Sequence, residues 1–411
     1  MKCALIGEKL GHSFSKEIHE RLGRYEYSHI ELRPDEVRPF LAARDFDGLN
    51  VTIPYKQTVI PYLDEVSALA RQAGAVNTIV NRNGRLTGYN TDIGGMKMLI
   101  EKAGLDPAGK TVLIAGSGGT SRTAERVALD MGAADAVRMS RTGRNGAVTY
   151  EDAFAEFADA RILINTTPAG MYPDTDSLPV DPERFACIEG VIDVVYNPLT
   201  TRLVREARAR GIPAENGLYM LVAQAMLAAE LFTGNPVQRE TTDRIYRELL
   251  AEKRNIVLTG MPGSGKSTLG RILADRLGRE LIETDEEIVR MAGMEITEIF
   301  SRFGEKHFRD LESEVIRRAS LQGGRIISTG GGAVLRSGNV DALKMNGTVV
   351  FLDRPVTDIV PTDDRPLADN TDKLMGLYTE RYPVYTAAAD ITIKVGGSEE
   401  ATAEQIWRAL N

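Results

Sequence analysis

The sequence predicts an α/β protein with parallel sheets, built around two separate nucleotide-binding units. Two observations carry that expectation. Short β-branched runs alternate with helical patterns along the whole chain, as in βαβ folds. Two of the strand-to-helix turns, Gly116–Gly119 and Gly260–Gly265, are glycine-rich, and one sheet seldom carries two such loops. With 411 residues there is room for two or three domains of ordinary size.

Strands are expected at Thr111–Gly116, Arg161–Thr167, Gly190–Tyr196, Asn255–Gly260, Arg325–Gly330 and Thr348–Leu352. No repeat or low-complexity tract interrupts them. The boundary between the two units is placed in the polar helical stretch Thr241–Arg254, where no Gly/Ser-rich or Pro-rich linker appears.

Composition narrows the function classes. Hydrophobic residues make up 43% and charged residues 26%, which argues against disorder. A net charge of −8 disfavours a sequence-independent grip on nucleic acid or an anionic membrane. Cys3 and Cys187 lie far apart, and His12, His19, His29 and His307 lack ligand spacing. A disulfide scaffold, a cysteine-rich zinc site and a histidine-built metal centre are therefore not expected. The first apolar stretch is too short for a signal peptide, and Leu218–Phe232 contains Gln224 and Glu230, short of a membrane span. A soluble cytoplasmic protein is expected, with neither nucleic acid nor membrane as partner.

The strand Thr111–Ala115 runs into Gly116-Ser117-Gly118-Gly119-Thr120 and then a helix. Glycines let backbone approach a pyrophosphate, and the helix N-terminus offers free N–H groups. Ser121 stands where G-x-G-x-x-G would have its third glycine, so a plain βα turn is the alternative. The next strand, Ala136–Met139, ends in Ser140-Arg141-Thr142, with Arg144 behind it and no acid. An acid would hold a ribose 2′-hydroxyl, whereas a guanidinium suits a 2′-phosphate. NADP(H) is the expected cofactor, against a solvated loop arginine.

Four polar clusters precede this loop: Gly11–Ser15 (GHSFS), Asn50–Lys56 (NVTIPYK), Gly74–Thr78 (GAVNT) and Gly88–Asp92 (GYNTD). Singly, each reads as helix caps or surface charge. Together with the NADP loop, their order and spacing resemble shikimate dehydrogenase over about residues 1–250. The likeness continues through Asn165–Met171 (NTTPAGM), Asp193–Pro198 (DVVYNP) and Asn216–Ala225 (NGLYMLVAQA). The resemblance implies that Ser13 and Ser15 hold a substrate carboxylate. Thr52, Asn77, Asp92 and Gln224 would bind ring hydroxyls, with Tyr196 nearby, and Gly217 would join the cofactor set. Lys56 and Asp92 would be the catalytic pair. A cationic amine beside a ketone can stabilise the alkoxide that hydride transfer leaves and deliver its proton. Tyr55, Thr120 and Ser140 depart from the family's more frequent Phe, Ala and Asn.

The second loop, Gly260 to Thr268 (GMPGSGKST), is a full Walker A sequence between a strand and a helix. Gly263, Ser264, Gly265 and Thr268 would cradle phosphates, Lys266 would reach the β/γ oxygens and Ser267 would ligate Mg²⁺. The carboxy-terminal part of the chain, about residues 255–411, resembles shikimate kinase. The matching pieces are Glu283–Ile288 (ETDEEI), Phe303–Glu312 (FGEKHFRDLE), Ser328–Val334 (STGGGAV), Asp364–Leu367 (DRPL) and Leu377–Asp390. This resemblance implies that Asp285 orients the substrate hydroxyl. Arg309, Arg381 and the backbone of Gly330, Gly331 and Gly332 would bind shikimate, and Arg365 would reach the ATP phosphates. Taken alone, Arg309 could be a helix-surface ion pair with Glu312, and Arg381 could lie on a solvated face. Glu283 replaces the family's usual first aspartate and would hold the metal's water. The lid from Leu352 to Arg365 is shortened, and the basic residue usual ahead of Arg365 is missing.

The two resemblances imply a bifunctional enzyme that makes shikimate from 3-dehydroshikimate with NADPH and phosphorylates it with MgATP. The implied layout has a substrate-binding α/β domain (1–95 and 220–250), a Rossmann NADP domain (96–219), and a P-loop domain of the nucleoside-monophosphate-kinase type (254–411). Two alternatives stand beside it: an active dehydrogenase joined to a degenerate kinase, or a shikimate- or quinate-sensing protein without turnover.

Overall fold

The structure, a computed structural model, describes residues 1–11, 13–359 and 371–410. Arg365 and the whole Asp364–Leu367 element lie outside the described residues. The chain divides into two compact units, Met1–Leu249 and Leu250–Asn411, and the division falls within the helix Arg239–Lys253.

The first unit holds two six-stranded sheets. One comprises β1 (Lys2–Gly7), β2 (Glu26–Glu31), β3 (Gly48–Val51), β4 (Glu65–Val66), β5 (Thr78–Arg82) and β6 (Arg85–Tyr89), in the order β2-β1-β3-β5-β6-β4. β1, β2 and β3 run parallel, while β5 is antiparallel to β3 and β6. Ile6, Leu49, Val51, Val76 and Ile79 fill its core on one face. On the other face Cys3, Leu5 and Val80 pack against Ala228 and Phe232 of the helix Leu218–Thr233.

The other sheet comprises β7 (Thr111–Ala115), β8 (Asp135–Ser140), β9 (Val148–Thr149), β10 (Ile162–Asn165), β11 (Gly190–Asp193) and β12 (Ala214–Glu215). All are parallel, in the order β12-β11-β10-β7-β8-β9. Val112 to Ala115 and Leu163 to Ile164 are wholly buried, as expected of strands covered on both faces. The strand order reverses between β7 and β10, the place where doubly wound sheets bind their ligands.

β10 and β11 are shorter than the runs expected at Arg161–Thr167 and Gly190–Tyr196, because polar side chains turn the chain. Asn165 Oδ1 accepts from the Thr167 amide at 2.9 Å, and Asp193 Oδ1 accepts from the Val195 amide at 3.0 Å. β8 extends past the expected Ala136–Met139 at both ends, so Ser140 belongs to the strand.

The second unit has one parallel sheet: β13 (Asn255–Thr259), β14 (Leu281–Glu283), β15 (Ile326–Ser328), β16 (Gly347–Asp353) and β17 (Ile391–Lys394). Its order is β14-β15-β13-β16-β17, which puts β13 at the centre with its glycine loop at the C-terminal edge. Apolar clusters on both faces cover it, one around Leu258, Leu273 and Leu352 and another around Val257, Ile316 and Val349. Among the described residues, no helix is long and apolar enough to cross a membrane.

Candidate active sites

Three stretches of the first unit converge because two helices pack unusually close. Asp92 opens the helix Asp92–Lys102, and Gln224 lies on Leu218–Thr233. A Cβ on Gly95 would lie 2.9 Å from the Met220 carbonyl oxygen and 3.0 Å from the Gln224 Cβ. Only a glycine lets the helices meet there. The loop after β3 brings Thr52 and Lys56 to the same place.

The result is a cleft of about 380 Å³ lined by Ser13, Ser15, Thr52, Lys56, Asn77, Asp92, Tyr196, Gln224, Thr120 and Gly217. Lys56 Nζ donates to Asp92 Oδ2 at 2.6 Å, with the two side chains 27% and 15% exposed. Asn77 Nδ2 donates to the other Asp92 oxygen at 2.9 Å. Asp92 is therefore held from two sides, in the first turn of a helix where an anion is favoured. Ser13 Oγ donates to Ser15 Oγ at 3.1 Å. Tyr196 reaches over from beyond β11, and its ring packs on Phe14 at 5.4 Å.

Asn50 and Thr91, residues of the same motifs, also serve this cleft and were not singled out from sequence. Thr91 Oγ1 accepts from Asn77 Nδ2 at 3.0 Å and donates to Gln224 Oε1 at 3.4 Å. Buried Asn50 accepts from the Tyr27 hydroxyl at 2.8 Å. Their burial, invisible in a motif, marks them as the scaffold of Asn77 and Gln224. Tyr55 keeps the packing place of the more frequent Phe: it is buried, and its hydroxyl finds the Leu32 carbonyl.

At the first glycine loop, Gly116 adopts φ 130° and its amide donates to the Met139 carbonyl at 2.8 Å. Ser140, the last residue of β8, and Arg141, Thr142 and Arg144 after it thus lie beside the loop, Ser140 buried and the other three exposed. A Cβ at Gly118 or Gly119 would meet nothing within 4 Å, so space lies open at the N-terminus of the helix Gly119–Asp130. That cradle fits a pyrophosphate. Ser121 replaces the third glycine at no cost, since its buried hydroxyl bonds the Gly118 carbonyl at 2.8 Å. Gly217 has a packing reason of its own: a Cβ there would lie 2.0 Å from the Val194 carbonyl oxygen.

In the second unit, a cleft of about 470 Å³ gathers Gly263, Gly265, Lys266, Ser267, Thr268, Glu283, Asp285, Arg309, Gly330, Gly331, Gly332 and Arg381. Ser264 is buried beneath the loop. Lys266 Nζ donates to the carbonyls of Gly260 and Met261 at 3.0 and 2.9 Å. Ser267 Oγ donates to Glu283 Oε2 at 3.1 Å, while Glu283 Oε1 is buried with no hydrogen-bond partner among the described residues. A hydroxyl and an unsatisfied carboxylate oxygen side by side fit a hard divalent cation.

The three consecutive glycines are explained by crowding. A Cβ on Gly330 would lie 2.7 Å from Asp285 Oδ1, one on Gly331 2.9 Å from the Pro262 ring, and one on Gly332 2.3 Å from the Arg309 guanidinium. A side chain at Gly330 or Gly332 would displace a charged group, and one at Gly331 would displace the Pro262 ring.

Arg309 does pair with Glu312, at 2.8 Å, but Glu312 is wholly buried. The helix-surface alternative is therefore corrected: the pair lies in the cleft wall, and Glu305 joins it at 3.1 Å. Burial pushes the Glu312 carboxyl up, and the Arg309 guanidinium partly offsets this. Arg381 is likewise buried, with Nη1 donating to the Gly331 carbonyl at 3.3 Å. Sequence reasoning missed Arg354, which also lines this cleft; its place just past a strand neighbouring the glycine-loop strand was the available signal.

Comparison with known proteins identifies both halves. The family model described as the shikimate dehydrogenase substrate binding domain matches residues 5–79, and that described as shikimate kinase matches residues 262–411. The NADP(+) shikimate dehydrogenase of Clostridium perfringens is 36% identical over 262 residues, covering 60% of this chain and 97% of that protein. The chain belongs to the shikimate dehydrogenase family. The Geobacillus kaustophilus shikimate dehydrogenase is 40% identical over 254 residues, covering 56% of this chain and 91% of that protein. Among solved structures, the Thermus thermophilus shikimate 5-dehydrogenase in complex with NADP(H) and shikimate matches with TM-score 0.55 and 30% identity, covering 60% of this chain and 99% of that one. The first unit is thus an NADP-dependent shikimate dehydrogenase in kind, and a shikimate kinase domain follows it. Together they make a shikimate-pathway enzyme, an oxidoreductase joined to a shikimate kinase domain.

Proposed function

We propose that the first unit reduces 3-dehydroshikimate to shikimate with NADPH, and that the second phosphorylates the shikimate 3-hydroxyl with MgATP. The observation that carries this reading is that each unit gathers its own substrate-binding and proton-transfer candidates into one cleft, with the Lys56–Asp92 contact of 2.6 Å in the first.

In the first cleft, Ser13 and Ser15 hold the substrate carboxylate, and Thr52, Asn77, Asp92 and Gln224 take the ring hydroxyls. Lys56 donates its proton to the oxygen of the ketone as charge develops there. Asp92, fixed by Asn77, aims the ammonium. Arg141, with Ser140, Thr142 and Arg144, receives the 2′-phosphate, and the open loop Gly116–Thr120 receives the pyrophosphate. NADPH, when bound, supplies the hydride.

In the second cleft, Asp285 orients the attacking hydroxyl and accepts its proton. Arg309 and Arg381 recognise the substrate carboxylate, a planar anion that suits arginine forks. Lys266 and the loop amides neutralise the transferring phosphoryl group. Ser267 and Glu283 would hold Mg²⁺, which spreads phosphate charge when bound.

The test is two coupled assays on the purified full chain: NADPH consumption with 3-dehydroshikimate, and ADP release with shikimate. Both are expected, and EDTA should stop only the second. A chain that binds shikimate but turns over neither substrate would refute the proposal in favour of a sensor.

A further inference from the structure

Arg354 is the first residue beyond β16, and its position follows from the sheet. β16 runs parallel to the central strand β13, pairing Phe351 with Thr259, so the chain leaves both strands at the same edge. The approach is close: a Cβ on Gly260 would lie 2.8 Å from the Leu352 carbonyl oxygen. One on Gly265 would lie 3.6 Å from Arg354 Nη2. The guanidinium therefore sits over the last residue of the glycine loop, where the helix Lys266–Leu277 begins, and it lines the cleft there.

Two neighbouring charged groups are engaged elsewhere. Arg309 is divided between Glu312 and Glu305. Asp353, the sequence neighbour of Arg354, accepts from the Tyr378 hydroxyl at 3.2 Å. Among the described residues no ion pair or side-chain hydrogen bond engages Arg354, and its Nε is buried without an acceptor. An unmet buried donor on a cation costs free energy unless an anion meets it. The neighbouring helix N-terminus and loop amides favour the same kind of ligand.

We propose that Arg354 is a direct ligand of the nucleotide's polyphosphate chain, acting beside Lys266 and the loop amides. The assignment rests on the kinase reading of this cleft and adds to it a residue that neither glycine motif contains. Arg354 moves no proton, since a guanidinium keeps its charge; it binds phosphate oxygens and offsets their charge.

Calorimetric binding of ATP, ADP and adenosine to the full chain tests this, with wild type, Arg354→Gln and Arg354→Lys compared. Losing a charge-assisted hydrogen bond should weaken ATP roughly ten- to a hundredfold. ADP should also weaken in Arg354→Gln, adenosine should be unchanged, and Arg354→Lys should recover part of the loss. Unchanged adenosine binding, with unaltered fluorescence of Trp407, the single tryptophan, verifies that the second unit is folded. If Arg354→Gln binds ATP as tightly as wild type, the assignment falls while the kinase reading stands. An equal loss for adenosine also overturns it, because the residue would then shape the base pocket. If wild type binds no ATP, the kinase reading falls and the assignment falls with it.

Discussion

Replacing Lys56 by Met should remove most of the dehydrogenase activity and leave the fold intact. The chain loses the ammonium that lies 2.6 Å from Asp92, yet Asp92 keeps its 2.9 Å hydrogen bond from Asn77 and its place in the first helical turn. The pair is partly exposed, at 27% and 15%, so the folding cost should stay near 1 kcal/mol. The catalytic cost is larger. Losing a positioned proton-transfer group lowers the rate by about 10²–10⁴, or roughly 3–5 kcal/mol of transition-state stabilisation. The fall should appear mainly in kcat, because the serines and hydroxyl-binding groups remain. The assay follows NADPH absorbance with 3-dehydroshikimate, while ADP release with added shikimate is measured on the same sample. Phosphorylation should be unaffected, and Lys266→Ala should give the reciprocal result. A Lys56→Met protein within tenfold of wild type in reduction would refute the proton-donor role. Loss of both activities in a folded protein would refute two independent sites.

The geometry also sets cofactor choice and acid stability. Arg141→Ala should weaken NADPH far more than NADH, because the segment 140–147 at the end of β8 offers arginines and no acid for a ribose hydroxyl; equal use of both cofactors by wild type would contradict the assignment. His19 is wholly buried, stacked on Tyr27 at 4.0 Å, and desolvation lowers its pKa to about 3. The unfolded imidazole binds a proton near 6.5 while the folded one resists it, so stability is full above pH 6.5 and falls as the pH drops towards 3. By pH 5 the first unit should lose about 2 kcal/mol, and denaturant melts of His19→Gln should lack this acid limb. An unchanged limb would assign the acid sensitivity to other groups.

The sequence determined the chemistry of this protein and most of its architecture. Glycine loops and β-branched runs are local signals, because a strand-to-helix turn and its phosphate cradle are built from consecutive residues. Tertiary structure decided what depends on residues far apart meeting. Taken alone, Glu312 could be a surface partner for Arg309, because helical spacing reports neighbours and not depth; in the fold it is wholly buried beside Gly330. Arg354 carries no motif, and only the parallel pairing of β13 with β16 sets it over Gly265. Asn50 and Thr91 were indistinguishable from ordinary polar residues until burial tied them to Tyr27, Asn77 and Gln224. Burial and register are sums over the whole fold, so a single run of sequence cannot display them.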